Sequence, residues 1–252
     1  MVRAAFLVSV ASRIWSACGP DAQTIFEMSF APRLDILPAA QRALWPELGQ
    51  VPQHFVLYGG TGLALRFGHR QSVDFDFFSN QPFEPIRLMN SMAFLKNAKV
   101  LDGKANTLTV LVYRDGPVKL SFFGGLTMGR VRNPEQTEDG LIWVASPLDI
   151  GASKMKVIFG RSEAKDYRDI YALLKSGVRL SEILAAAQAL CEELQNPAIH
   201  LRAISYFEDG DLRTLPDEMK RTLASAAGEV CLGEIPSMMR LSGVTKWSDL
   251  PL

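Results

Sequence analysis

The sequence predicts an α+β fold, a mixed sheet with flanking helices followed by a C-terminal helical region. Three observations predict it. Short apolar or alternating runs between residues 54 and 145 read as strands, with β-branched or aromatic side chains at their apolar positions. From Pro147 onward the apolar residues recur at helical spacing. The order is β/α, then a β meander, then helices, not the regular β–α–β alternation of a doubly wound sheet.

Taken in order, residues 37–48 read as a helix whose first turn tolerates Pro38, with Leu37, Leu44, Trp45 and Leu48 on one face. Residues 54–58 (HFVLY) read as a buried strand ending at Gly59-Gly60. Thr61 then caps a short helix that stops at Gly68. Residues 73–78 (VDFDFF) alternate as a strand, and Pro85 opens a helix through Leu95. Residues 107–113 and 117–123 flank Arg114-Asp115-Gly116, a hairpin signal. Residues 141–145 form a further strand. Ser146, Pro147 and Asp149 read as N-cap, first-turn proline and capping-box acid of a helix reaching Phe159. A second helix, 163–174, is marked by Tyr167, Ile170, Tyr171 and Leu174. After Gly177, Ser181 caps one helix, Asn196-Pro197 opens another to Phe207, and Pro216 opens a third to about Cys231.

Lys+Arg and Asp+Glu number 27 each in 252 residues, so the formal net charge is zero. This gives no support to a globally basic nucleic-acid binder and leaves a local basic patch open. Three distant cysteines (Cys18, Cys191, Cys231) without a CxxC argue against a disulfide framework or structural zinc, and fit a reducing cytoplasm. His54, His69 and His200 lack metal-ligand spacing and read as scattered histidines. No apolar run approaches the ~18 residues of a membrane span. Residues 1–18 have the outline of a signal peptide, but Arg13 interrupts the run and nothing after Cys18 reads as secreted. The expectation is a soluble, cytoplasmic protein, with residues 1–36 an N-terminal extension and a candidate for disorder.

The sharpest chemical signal is Gly59-Gly60-Thr61 followed by Asp74-x-Asp76. Residues i and i+2 of a strand share a face, ~6.5–7 Å apart, so Asp74 and Asp76 project together while Val73, Phe75 and Phe77 face the other way. Two carboxylates so close repel unless a cation sits between them, and Mg²⁺ suits a site of one or two carboxylates plus substrate phosphates. A Gly-Gly turn entering a helix supplies N–H groups and a positive dipole end for phosphate oxygens. Alone, the glycines are an ordinary turn and the acids the wet face of a half-buried sheet. Together, in strand–turn–helix–strand order, they point to nucleotide chemistry. No Walker-type loop or dinucleotide fingerprint is present.

YGGTGLALRFGHRQSVDFDFFS resembles the nucleotidyltransferases of the AbiEii/AbiGii toxin family, within the polymerase-beta-like superfamily. Two further blocks resemble it: SKMKVIFGRSEAKDYRDIYALL, where Lys154, Arg161, Lys165, Asp166 and Asp169 match a late motif, and ISYFEDGDL. The resemblance covers about residues 37 to 215. It implies that Gly59, Gly60 and Thr61, with Arg161 and Lys165, hold an NTP, that Asp74 and Asp76 ligate Mg²⁺, and that Lys154 contacts phosphate. Asp166 would orient the attacking hydroxyl or act as its base. Read without the family, Lys165, Asp166 and Asp169 also fit a solvated helix with i,i+3 and i,i+4 pairs. Arg66 and Arg70 could also reach phosphate, but read more readily as surface salt-bridge residues. One departure from the superfamily pattern stands out: the third acid expected on a neighbouring strand is replaced by Ser121.

The resemblance implies a catalytic domain over residues 37–176 and a helical region over 177–252. It implies a magnesium-dependent nucleotidyltransferase that moves a nucleoside monophosphate from an NTP to a hydroxyl of RNA (such as a tRNA end) or of protein. The setting would be the toxin of a toxin–antitoxin or phage-defence pair, with a cognate antitoxin as partner and no membrane. The rival reading, motivated by Ser121, is a non-catalytic nucleotide- or protein-binding descendant.

Overall fold

The computed structural model describes residues 29–191 and 196–245. One eight-stranded sheet runs through it. In chain order the strands are β1 (Ser29–Phe30), β2 (Val56–Tyr58), β3 (Asp74–Phe78), β4 (Lys99–Lys104), β5 (Thr107–Tyr113), β6 (Pro117–Phe123), β7 (Glu135–Thr137) and β8 (Trp143–Val144). Across the sheet the order is β1-β7-β8-β2-β3-β6-β5-β4. The pairs β1/β7, β2/β8 and β3/β6 are parallel and the others antiparallel, so the sheet is mixed as expected. Helices α1 (Ala39–Leu44), α2 (Gly59–Phe67) and α3 (Pro85–Ser91) interleave with the strands. Helices α4 (Pro147–Gly160), α5 (Ala164–Lys175), α6 (Leu180–Leu190), α7 (Pro197–Ile204) and α8 (Asp217–Gly228) follow them.

Strand alternation divides the apolar residues into two cores. Leu57, Phe75, Phe77, Val110, Leu120 and Phe122 face one way, against Leu44, Trp45, Leu48 and Leu88. Val56 and Tyr58 face the other way, against the helical half: Met155, Ile170, Ile183 and Leu223 lie in that core. The C-terminal helices therefore share their interior with α4 and α5. Asp74 and Asp76 alternate with buried Phe75 and Phe77, and so emerge on the helical side of the sheet.

Several local expectations are corrected, each for a physical reason. Strands β1, β4 and β7 have no periodic apolar signal: all six residues of β4 are exposed. Residues 29–36 belong to the folded unit, since β1 pairs with β7, the Arg66 guanidinium lies 3.9 Å over the Phe30 ring, and Ile36 is buried. The rest of the expected N-terminal extension, residues 1–28, lies outside the described residues, as does Cys18; among the described residues Cys191 and Cys231 are not in a disulfide. The 37–48 helix stops at Leu44 and continues as a 3₁₀ turn, Trp45–Gln50, because Pro46 has no N–H to donate to Arg42. The 85–95 helix breaks at Met92, which is extended (φ −121°).

Thr61 and Ser181 are not caps. Tyr58 and Arg179 hold those positions, and the Arg179 N–H donates to Glu182 at 3.0 Å. Ser146 does cap α4, accepting from the Asp149 N–H at 3.1 Å. The Asp149 carboxylate accepts from the Ser146 hydroxyl at 2.5 Å and also from the Val131 and Arg132 N–H groups of the loop between β6 and β7, at 2.7 and 3.3 Å. That loop also anchors the C-terminal segment, with buried Arg130 donating to the Ser242 and Gly243 carbonyls; Asn80, after β3, adds a second anchor by accepting from the Val244 N–H. Among the described residues no helix is long and apolar enough to cross a membrane.

Candidate active site

A cleft of about 550 Å³ lies where β3 meets the start of α2 and the C-terminal half of α4. Asp74 and Asp76 both line it. Register explains their surroundings: on parallel β6, Lys119 stands beside Asp74 and Ser121 beside Asp76. The Lys119 Nζ lies 3.9 Å from Asp74 in a half-exposed pair. Ser121 is buried beside Asp76, is not among the residues lining the cleft, and donates its hydroxyl to the Asp76 carboxylate. Burial raises the Asp76 carboxyl above its ordinary value and Asp74 raises it further, while Ser121, Lys119 and Lys154 pull it down.

The paired glycines each make room for a charged group. Gly59 has φ +73°, and a Cβ there would come within 3.3 Å of the Asp76 Oδ2. Its left-handed backbone turns the chain from β2 into α2 with the carboxylate close against it. A Cβ on Gly60 would fall 1.8 Å from the Arg70 Nη2. Helix α2 begins at Gly59 with no side-chain cap, so its first N–H groups have no acceptor within the helix. Thr61 borders the cleft, but its hydroxyl is held inside the fold: it is 2.7 Å from the Ser72 Oγ and donates to the Asp74 carbonyl. It pins the loop before β3, and any contact with phosphate would come from its backbone.

Lys154 reaches the cleft from α4 and sits between two carboxylates of α5, 2.8 Å from Asp166 and 2.7 Å from Asp169. Asp166 is fully buried, and Arg161 donates to it at 2.9 Å. It does not line the cleft. Both of its oxygens are engaged by cations, and in this geometry Asp166 holds Lys154 and Arg161 in place. Asp169 is also buried and receives His69 Nε2 at 2.7 Å and a two-bonded Arg70 fork at 2.7 and 2.9 Å. Burial would raise its pKa, but the bonds from His69 and Arg70 and the charge of Lys154 hold it well below the ordinary range. The solvated-helix reading of this segment is thereby replaced by a buried charge network, and His69 is part of it rather than scattered.

Of the residues singled out from sequence, Gly59, Gly60, Thr61, Asp74, Asp76, Lys154, Arg161 and Lys165 all line the cleft. Arg70, Lys119 and Lys156 line it too. Lys119 was visible as the residue two before Ser121 on one strand face. Arg70 was within reach of phosphate on the sequence reading, but its anchoring by Asp169, 99 positions away, left no local mark. Arg66 is no surface residue either: it is buried, donating to Glu135 at 2.7 Å and to the Ala145 carbonyl at 3.2 Å. Six cationic side chains thus face two carboxylates in a chain of zero net charge. Such focusing favours a polyanion.

Among the described residues no group of three or more His, Cys, Asp or Glu is gathered to hold a metal. A divalent cation would depend on Asp74, Asp76 and oxygens from substrate or water. That donor set fits Mg²⁺, which binds through one or two carboxylates and retains other oxygen ligands.

The model of a family described as "Nucleotidyl transferase AbiEii toxin, Type IV TA system" matches residues 42–230. An uncharacterized protein of Aquifex aeolicus (strain VF5) is 34% identical over 158 residues, 62% of this chain and 74% of that protein. The crystal structure of an H. pylori protein, described as a candidate nucleotidyltransferase, aligns with a TM-score of 0.48 and 17% identity over 84% of this chain and 95% of that one.

Proposed function

Since the chain belongs to the AbiEii nucleotidyltransferase toxin family of type IV toxin–antitoxin systems, we propose that it is a Mg²⁺-dependent, cytoplasmic enzyme that transfers a nucleoside monophosphate from an NTP to a hydroxyl. The acceptor would be RNA or protein, and a cognate antitoxin its partner. The observation that carries this reading is the juxtaposition of Asp74 and Asp76, on one strand face, with the uncapped start of α2 and a cation-rich wall.

In the proposed reaction the acceptor oxygen bonds to the α-phosphorus and the bond to the β-phosphate oxygen breaks, releasing pyrophosphate. Asp74 and Asp76 would hold the Mg²⁺, which when bound supplies charge neutralisation to the triphosphate and its leaving group. Lys154, fixed by Asp166 and Asp169, presents a cation beside Asp76. Arg161 and Lys165 extend the positive wall toward the mouth, half-exposed and tied to Glu163. Asp74 and Asp76 are the carboxylates lining the cleft, so the acceptor's proton leaves to one of them or to water.

Incubation with each labelled NTP, with and without Mg²⁺, and with cellular RNA or protein tests this. Metal-dependent label transfer with pyrophosphate release is the expected result. Tight NTP binding without transfer to any acceptor would favour the non-catalytic reading that Ser121 motivates.

A further inference from the structure

We propose that Arg70 is a triphosphate-binding residue, with Asp169 as the residue that positions it. This rests on the nucleotidyltransferase reading above and extends it to a side chain outside the aspartate and lysine motifs.

Arg70 follows α2 by three residues and folds back over its first turn. Its Nε and Nη2 donate to the two Asp169 oxygens, and its Nη1 donates to the Gln71 carbonyl at 2.9 Å. A guanidinium has five N–H donors, so two remain without a protein acceptor among the described residues. Its side chain is 13% exposed, and it lines the same cleft as Asp76 and Lys154. Asp169 is itself immobilised by Lys154 and His69, so the fork is held in one plane before any ligand arrives.

Two further observations separate this from an ordinary structural ion pair. Gly60 leaves open the space the guanidinium occupies: a Cβ there would lie 1.8 Å from Nη2 and 2.9 Å from Cζ. The absent side chain places a cation against the start of α2, where phosphate oxygens would also find N–H groups. The lining of the cleft is also rich in cations: Arg70, Lys119, Lys154, Lys156, Arg161 and Lys165 line it with two carboxylates, Asp74 and Asp76, which suits an anionic ligand.

The test measures binding of inorganic tripolyphosphate, NTP and nucleoside monophosphate to the full chain in Mg²⁺. The proteins compared are the wild type and the Arg70→Gln, Arg70→Lys, Gly60→Ala and Asp169→Asn variants, with thermal melts alongside. Arg70→Gln should weaken tripolyphosphate and NTP roughly 10- to 100-fold, the worth of a charge-assisted bond pair, while monophosphate binding stays unchanged. Gly60→Ala, which displaces the guanidinium without removing it, and Asp169→Asn, which frees it, should show the same selective loss. If Arg70→Gln does not fold, Arg70→Lys carries the test, since it keeps a cation beside Asp169 but loses the fork. Wild-type tripolyphosphate affinity in the Arg70 variants, or an equal fall for mono- and triphosphate, would overturn the proposal and leave the nucleotidyltransferase reading standing. A wild-type protein that binds neither NTP nor tripolyphosphate would overturn both.

Discussion

Ser121 and Asp76 stand side by side on parallel strands, and the serine hydroxyl donates to the aspartate carboxylate. The position where a third acid was expected is therefore filled by a neutral group that supports the second. A hydroxyl contributes little to a hard cation. Ser121→Ala should lower transfer activity by less than about tenfold, the worth of one ordinary hydrogen bond, in a steady-state assay. Full loss of activity in a folded Ser121→Ala protein would mean that the hydroxyl has a chemical role.

Asp76→Asn should be severe for activity and harmless to the fold. Loss of a charge aimed at the developing transition state costs about 3–4 kcal/mol, or roughly 10²–10³ in rate. The same change removes a carboxylate whose ionisation is opposed by burial and by Asp74, so the melting temperature without metal should hold or rise. Paired kinetics and calorimetry check both halves.

Asp166→Asn should behave in the opposite way. It strips Lys154 and Arg161 of a fully buried carboxylate, a change that costs about 3 kcal/mol, the lower end of the range because Arg161 is 43% exposed. Denaturant unfolding should show that loss, with activity falling alongside stability. A stable but inactive Asp166→Asn protein would instead identify it as a base.

The depressed Asp169 pKa gives a signed pH dependence. A carboxyl held below its unfolded value stabilises the fold above that value and loses the contribution as pH falls toward the folded one. Melting temperatures of wild type and Asp169→Asn should therefore differ most at neutral pH. The gap should narrow as pH drops below the ordinary aspartate value of 3.8.

Thr61→Val keeps shape but removes the hydroxyl that joins α2 to Ser72 and to the Asp74 carbonyl. The buried partners left behind should cost about 1–3 kcal/mol in chemical unfolding.

Much of this was legible in the chain. The Asp74/Asp76 face follows from strand alternation, the hairpin around Asp115 from its turn residues, and the α4 start from Ser146-Pro147. What stayed hidden has two causes. Edge strands such as β4 bury nothing, so they write no apolar period. Long-range polar partners leave no local mark: Asp166 and Asp169 look like wet helix residues until α4 and the 69–70 loop close over them. The Gly59-Gly60 pair reads as a turn that cradles phosphate; hidden from that reading was the charged side chain, Asp76 or Arg70, that packs against each glycine.

The lattice of bonds joining Lys154, Asp166, Asp169, His69 and Arg70 spans α4, α5 and the loop before β3. A genetic selection for survivors of this toxin's expression would strike those buried positions as readily as Asp74 or Asp76. The mutational target for inactivation is then wider than the reacting groups, and a map of escape mutants drawn on the sequence would outline the scaffold of the cleft along with its chemistry. Sorting the escapees by soluble yield would divide them: substitutions at Asp74 and Asp76 should accumulate as intact protein, those at Asp166 as proteolysed or insoluble chains.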